Sequence, residues 1–199
     1  MASSASRPKR LAGGGRSAQT LDGANNPMQT TAVRKFEPAE WLVYKELRLR
    51  SLAESPDAFG SSLPVEKERS AHEWQHRVSA GTSSLMDLPL LALVGSAPAG
   101  LAWAKVDQAD PSLVALFQMW VAPEHRGLGL GSQLLQAAIS WARARNAAAV
   151  CLGVTLGDSP ATRLYRKAGF VPNGEKGPLR PGSALLGQPM SLRLARSAA

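Results

Sequence analysis

The stretch APEHRGLGLG (122–131) decides how the rest of the chain reads. It follows SLVALFQMWV (112–121), a run rich in strand-forming residues. It precedes a segment where Leu130, Leu134, Ala138 and Trp141 recur at helical steps of three and four. Glycines at 127, 129 and 131 let the backbone come close to a ligand. They also open a helix whose first amides lack partners of their own. Such a strand-to-helix turn offers several N–H donors and a positive dipole end to an anion, most simply a pyrophosphate. Arg126 adds a positive charge at the rim. Two common phosphate loops do not fit. The dinucleotide fingerprint needs glycine at 132, where Ser132 stands, and the loop of nucleotide hydrolases needs a lysine that Gly131-Ser132 lacks.

Outward from this turn, TTAVRKF (30–36) reads as a short first strand. A helix is expected over about 38–54, with Pro38 in its first turn and Leu42, Leu49, Leu52 and Ala53 on one face. A second, charged helix is expected over about 64–80. LPLLALVG (88–95), AGLAWAKV (99–106) and the 112–121 run read as successive antiparallel strands separated by turn signals. The long helix covers about 129–145, and AAAVCLGVT (147–155) is apolar enough for a strand covered on both faces. A short helix at 159–167 and a last strand, QPMSLRL (188–194), complete the pattern. Together they predict an α/β (mixed α+β) domain over 31–199: a mostly antiparallel mixed sheet of about six to seven strands with helices on both faces. Residues 1–30, rich in Ser, Gly, Ala and Asn, are expected to be a disordered basic tail.

Two motifs resemble those of a known family. Arg126-x-x-Gly129-x-Gly131 resembles the R/Q-x-x-G-x-G/A acetyl-CoA loop of the GNAT N-acetyltransferases. DSPATRLYRKAGF (158–170) is similar to that family's N-x-x-A-x-x-L-Y-x-x-x-G-F segment, with Ala161, Leu164, Tyr165, Gly169 and Phe170 matching. RLRSLAESPDAFGSS (48–62) also resembles an N-terminal segment common in one large bacterial branch. The resemblance covers about 31–195. It implies a three-layer fold, acetyl-CoA as acetyl donor, no metal, and direct transfer to a primary amine of a small molecule or protein through a ternary complex. The cofactor-binding residues it implies are Trp120, Val121, Arg126, Gly127, Gly129, Leu130, Gly131, Ser132, Asp158 and Tyr165. Asp158 departs from the family's usual asparagine. A carboxylate accepts hydrogen bonds but cannot donate one, so a local structural role is expected for it.

Acetyl transfer from a thioester to an amine makes specific demands. Backbone N–H groups must polarise the thioester carbonyl and stabilise the tetrahedral oxyanion. The resemblance assigns this to the end of QMWV, with the Trp120 and Val121 amides as candidates. The amine, with a pKa near ~10.4, must lose a proton, and the leaving thiolate, around ~8.5, benefits from a donor. The resemblance places Tyr165 as that catalytic acid. The strand VALFQMWV carries Gln118 where many relatives have glutamate, and Gln118 is not a base. Glu54, Asp57, Glu124 and a water relay stay open for that role.

Composition sets the remaining bounds. The chain has 199 residues and a formal charge of +8; residues 1–30 contribute +3, from Arg7, Lys9, Arg10 and Arg16 against Asp22. That balance favours anionic ligands, but no long basic run or basic–aromatic interleaving supports nucleic acid as the main partner. No apolar segment reaches the length a membrane helix needs, no secretory signal is expected, and the lone Cys151 suits a reducing cytoplasm. A homodimer is left open. HEWQH (72–76) fits the zinc-peptidase pattern H-E-x-x-H. A third ligand is missing, however: Thr82 stands at the extended motif's third histidine, and 77–106 contains no glutamate. A metallopeptidase and a non-catalytic acyl-CoA-binding module are therefore the alternatives to acetyl transfer.

Overall fold

The alternating apolar runs of the middle of the chain pair into a meander, seen in a computed structural model that describes residues 30–195. The tail expected over 1–30 lies outside the described residues except for Thr30, as do the last four positions. Strand β1 (Thr31–Lys35) leads through a 3-10 turn into α1 (Trp41–Glu54), then α2 (Leu63–Lys67) and α3 (Ala71–Ser83). The meander β2 (Asp87–Val94), β3 (Ala97–Val106) and β4 (Leu113–Val121) follows. Helix α4 (Leu130–Ala144) crosses to β5 (Ala149–Thr155), and α5 (Pro160–Lys167) precedes β6 (Val171–Pro172), β7 (Gly177–Pro178) and β8 (Leu186–Arg193). The strands form one sheet in the order β1-β2-β3-β4-β5-β8-β6, with β7 also on β8. Among the described strands only β4 and β5 pair in parallel, as a helical crossover requires. The two-residue strands β6 and β7 bring the count to eight; β7 falls in a Pro/Gly-rich segment with no strand pattern.

Strand parity sorts the apolar side chains into two cores. Leu90, Ala92, Ala102, Ala104, Val114 and Leu116 face α4 and the Tyr165–Phe170 pair. Leu91, Leu101 and Trp103 face the other way, against Tyr44, Leu47 and Leu52 of α1 and Trp74 and Val78 of α3. This gives three layers.

Two helix expectations need correction. The helix expected over 64–80 is two helices, because Ser70 caps a new start: its hydroxyl accepts from Glu73 N–H. On α1 the buried face is Tyr44, Leu47, Arg48, Ser51 and Leu52, while Leu42 is 59% exposed. Of the expected stripe Leu52 is buried, while Arg48 takes an inner position with its guanidinium 4.8 Å from the Phe59 ring and 3.9 Å from the Glu66 carboxylate.

Candidate functional site

The site begins with a break in β4. Trp103 pairs with Phe117 but Leu101 pairs with Trp120, so one extra residue bulges from the strand. Gln118 sits in the bulge with φ 60. The insertion reverses parity beyond it. Val114 and Leu116 point to the α4 side, and Trp120 points to the α1 side instead of following them. The same strand parts from β5. Pairing runs only from Leu113–Ala149 to Ala115–Cys151, although both strands continue. The result is a wedge between β4 and β5, opening into a cleft of about 440 Å³ lined by Gln118, Met119, Gly153 and Tyr165 among others.

Which β4 amides face the wedge follows from the ladder. Ala122 N–H donates to Ala99 O. Antiparallel alternation then turns the Trp120 amide toward β3 and leaves the Val121 amide on the wedge side. Of the two candidate amides, that of Val121 faces the wedge and that of Trp120 faces β3. Met119, absent from the expected set, lines the cleft.

The glycine turn has the form its sequence called for. Gly127 and Gly129 have φ of 83 and 80, and Gly129 is the left-handed N-cap of α4. That conformation belongs to glycine, since a Cβ there meets the carbonyl. The amides of Leu130, Gly131 and Ser132 start the helix without intrahelical acceptors. A Cβ on Gly131 would lie 3.4 Å from Leu164 Cδ2, so the first turn of α4 packs directly on α5.

Arg126 does not stand free at the rim. Its Nη2 donates to Glu54 Oε2 at 2.8 Å and its Nε to Val121 O at 3.1 Å. The Trp120 indole N–H reaches the same carboxylate at 2.9 Å, and the Ser55 hydroxyl donates to it too. Arg50 adds a second tie, to Glu124 at 2.6 Å. The end of α1 is thus latched to the end of β4 and to the loop. Partial burial alone would push the Glu54 carboxyl up, but the hydrogen bonds from Arg126, Ser55 and Trp120 outweigh it and take it down to about 2. A carboxyl depressed in the fold stabilises above its unfolded pKa and loses that contribution as pH falls through the folded value. Glu54→Gln should therefore lower the thermal midpoint at pH 7, and the gap to the parent should close between pH 4.5 and about 2. A gap independent of pH would exclude the ion pair as its cause.

On α5, Ser159 rather than Asp158 caps the helix, accepting from Thr162 N–H. Asp158 projects into solvent, 68% exposed, and pairs with Arg163 at 2.6 Å. Its carboxylate is thus tied to a side chain of α5 and does not cap the helix. Tyr165 is buried beside Phe170, their ring centres 5.9 Å apart, and borders the cleft. Burial pushes its phenol up to about 12.

The far wall of the cleft comes from two loops. Ala58, Phe59 and Gly60 follow α1, while Glu175, Pro178 and Leu179 belong to the segment before β8. Arg180 joins them, donating to Pro56 O at 2.9 Å and Phe59 O at 3.0 Å. Among the lining residues Glu175 is the one carrying a formal charge. Neither Arg180 nor Glu175 is marked by any sequence pattern. Pairing across 121 residues is invisible before folding.

Comparison with known proteins agrees with this geometry. Residues 49–170 match the model of the Acetyltransferase (GNAT) family. The chain belongs to the GNAT acetyltransferases. A mycothiol acetyltransferase of Thermobispora bispora is 31% identical over 147 residues, covering 70% of this chain and 46% of the relative. A streptothricin acetyltransferase of Streptomyces lavendulae is 41% identical over 68 residues, 34% of this chain and 36% of the relative. The chain thus spans less than half the length of these relatives. The yncA structure from Salmonella typhimurium, which holds its cofactor acetyl-CoA, shares the fold: TM-score 0.70 at 20% identity, covering 85% of this chain and 97% of that one.

Within this GNAT fold HEWQH has a structural explanation. Glu73 Oε2 accepts the Ser70 N–H at 2.7 Å and the Ser70 hydroxyl at 2.8 Å, closing a capping box. Trp74 is fully buried, and His72 and His76 stack on the exposed face with ring centres 6.3 Å apart. Among the described residues no group of three or more His, Cys, Asp or Glu is placed to hold a metal ion. No helix among them is long and apolar enough to cross a membrane.

Proposed function

We propose that the protein transfers an acetyl group from acetyl-CoA to a primary amine held in the cleft between β4 and β5. The observation that carries this reading is the wedge itself. The edge of β4 beyond Ala115 is unpaired with β5, Met119 and Tyr165 border the cleft there, and the same strand ends at the phosphate-type turn. The diphosphate of acetyl-CoA would lie on the amides of Leu130, Gly131 and Ser132, favoured by the α4 dipole. The glycines at 127 and 129 shape that turn, and Arg126 braces it against Glu54. The Val121 amide would steady the thioester arm in the wedge. Asp158, facing solvent, is left out of the contact set.

The cleft also bears on proton movement. Glu54 is held at about 2 and Glu124 is lowered by its bond from Arg50, so neither is basic enough to deprotonate an amine at neutral pH. Asp57 lies 3.9 Å from the Arg180 guanidinium and is largely exposed. The amine proton therefore leaves to water in the open cleft, and Glu175 on its wall draws the cationic amine in. The test is thiol release from acetyl-CoA over a panel of amines, with mass spectrometry of the products. Glu175→Gln should raise KM for cationic acceptors about three- to tenfold, as expected for one partly screened charge, with kcat changed less. Acetyl-CoA that binds without any amine releasing thiol would overturn the transferase reading.

A further inference from the structure

Gln118 holds a backbone conformation, φ 60 within a strand, that non-glycine residues seldom adopt. Such strain persists only where the surroundings impose it. Here the restraint is Tyr44, whose hydroxyl donates to Gln118 Oε1 at 2.7 Å across 74 residues of chain. Tyr44 cannot yield, being fully buried with Phe36 and Trp103 edge-on at 5.6 and 5.5 Å and the Arg77 guanidinium 5.9 Å from its ring. The Tyr44 hydroxyl has no other acceptor among the described residues, which fixes the direction of the bond.

Gln118 Oε1 keeps a second lone pair beside the Tyr44 bond, while the amide N–H groups of this cleft-lining residue make no hydrogen bond among the described residues. Such a group donates; it can neither take a proton from an amine nor accept one in a hydrogen bond. Its complement is an oxygen lone pair. We propose that Gln118, locked by Tyr44, is a positioning residue that donates to a carbonyl or hydroxyl oxygen carried beside the reacting nitrogen. The acceptor class is then primary amines with an oxygen about three bonds away, as in an amino-acyl amide or an amino alcohol. This inference rests on acetyl transfer in the same cleft. An amine without the oxygen leaves the Gln118 donor unpaired on binding, which disfavours it by roughly tenfold to a hundredfold in kcat/KM.

The experiment compares glycinamide and ethanolamine with isobutylamine and n-propylamine for the parent, Gln118→Met and Tyr44→Phe. Ratios between protein forms cancel the intrinsic reactivity of each amine. The parent's preference for the oxygen-bearing pair should fall at least tenfold in Gln118→Met and severalfold in Tyr44→Phe, with acetyl-CoA dissociation constants within twofold of the parent's. Should Gln118→Met fail to fold, Tyr44→Phe, which removes one oxygen atom only, carries the test. A preference unchanged in both variants, or no preference in the parent, overturns the inference while acetyl transfer stands. No thiol release by the parent from any amine removes both.

Discussion

Replacing Gly129 and Gly131 together by valine should raise the dissociation constant for acetyl-CoA at least about a hundredfold, measured by titration calorimetry. Gly129 has φ 80, and a β-branched residue there is strained by on the order of 1–3 kcal/mol, which the turn relieves by moving its amides. At Gly131 a Cβ would lie 3.4 Å from Leu164 Cδ2, so the further methyls of valine crowd the seam between the first turn of α4 and α5 and should displace the amides of that turn. About 2.7 kcal/mol of lost binding corresponds to that hundredfold change. Gly127→Ala is the control: its φ is 83 but nothing lies within 4 Å of the added carbon, so its effect is conformational only and smaller. A double variant that binds as the parent does would remove the loop from cofactor binding.

Tyr165→Phe should lower kcat about a hundredfold while leaving acetyl-CoA affinity within twofold, because general acids typically contribute ~10²–10⁴. The ring keeps its packing against Phe170, so only the hydroxyl is lost. Burial holds its phenol at about 12. On the proposed reading, full proton transfer to a thiolate near ~8.5 is uphill, and the expected contribution of the hydroxyl is a hydrogen bond that strengthens as charge develops on sulfur. The phenol stays protonated throughout the usual assay range, and the parent's pH–rate profile should show no falling limb from Tyr165 until pH approaches 12. Unchanged turnover in the variant would take Tyr165 out of the mechanism.

What was legible before folding was local. Gly127 and Gly129 take the left-handed angles that their turn demands, and α4 buries Leu130, Leu134 and Ala138 as their three- and four-residue steps require. HEWQH lacks a third ligand within its own segment. The capping box Ser70-x-x-Glu73 that starts α3 is likewise a local sequence signal. Arg126 was legible as a charge beside the turn, but not as the brace of Glu54, its partner 72 residues away.

The sequence by itself determined the long strands and helices, the strand-turn-helix geometry of 121–132 and the family, because these depend on backbone freedom and on the periods of neighbouring residues, but not the break between α2 and α3 or the short β7. Tertiary structure alone decided the chemistry of the cleft. A one-residue bulge at Gln118 reversed the strand's parity, sent the Trp120 indole to Glu54 and gave Gln118 to Tyr44. Nothing in VALFQMWV announces that bulge, since a period-two pattern looks the same whether or not one residue is later squeezed out of the ladder.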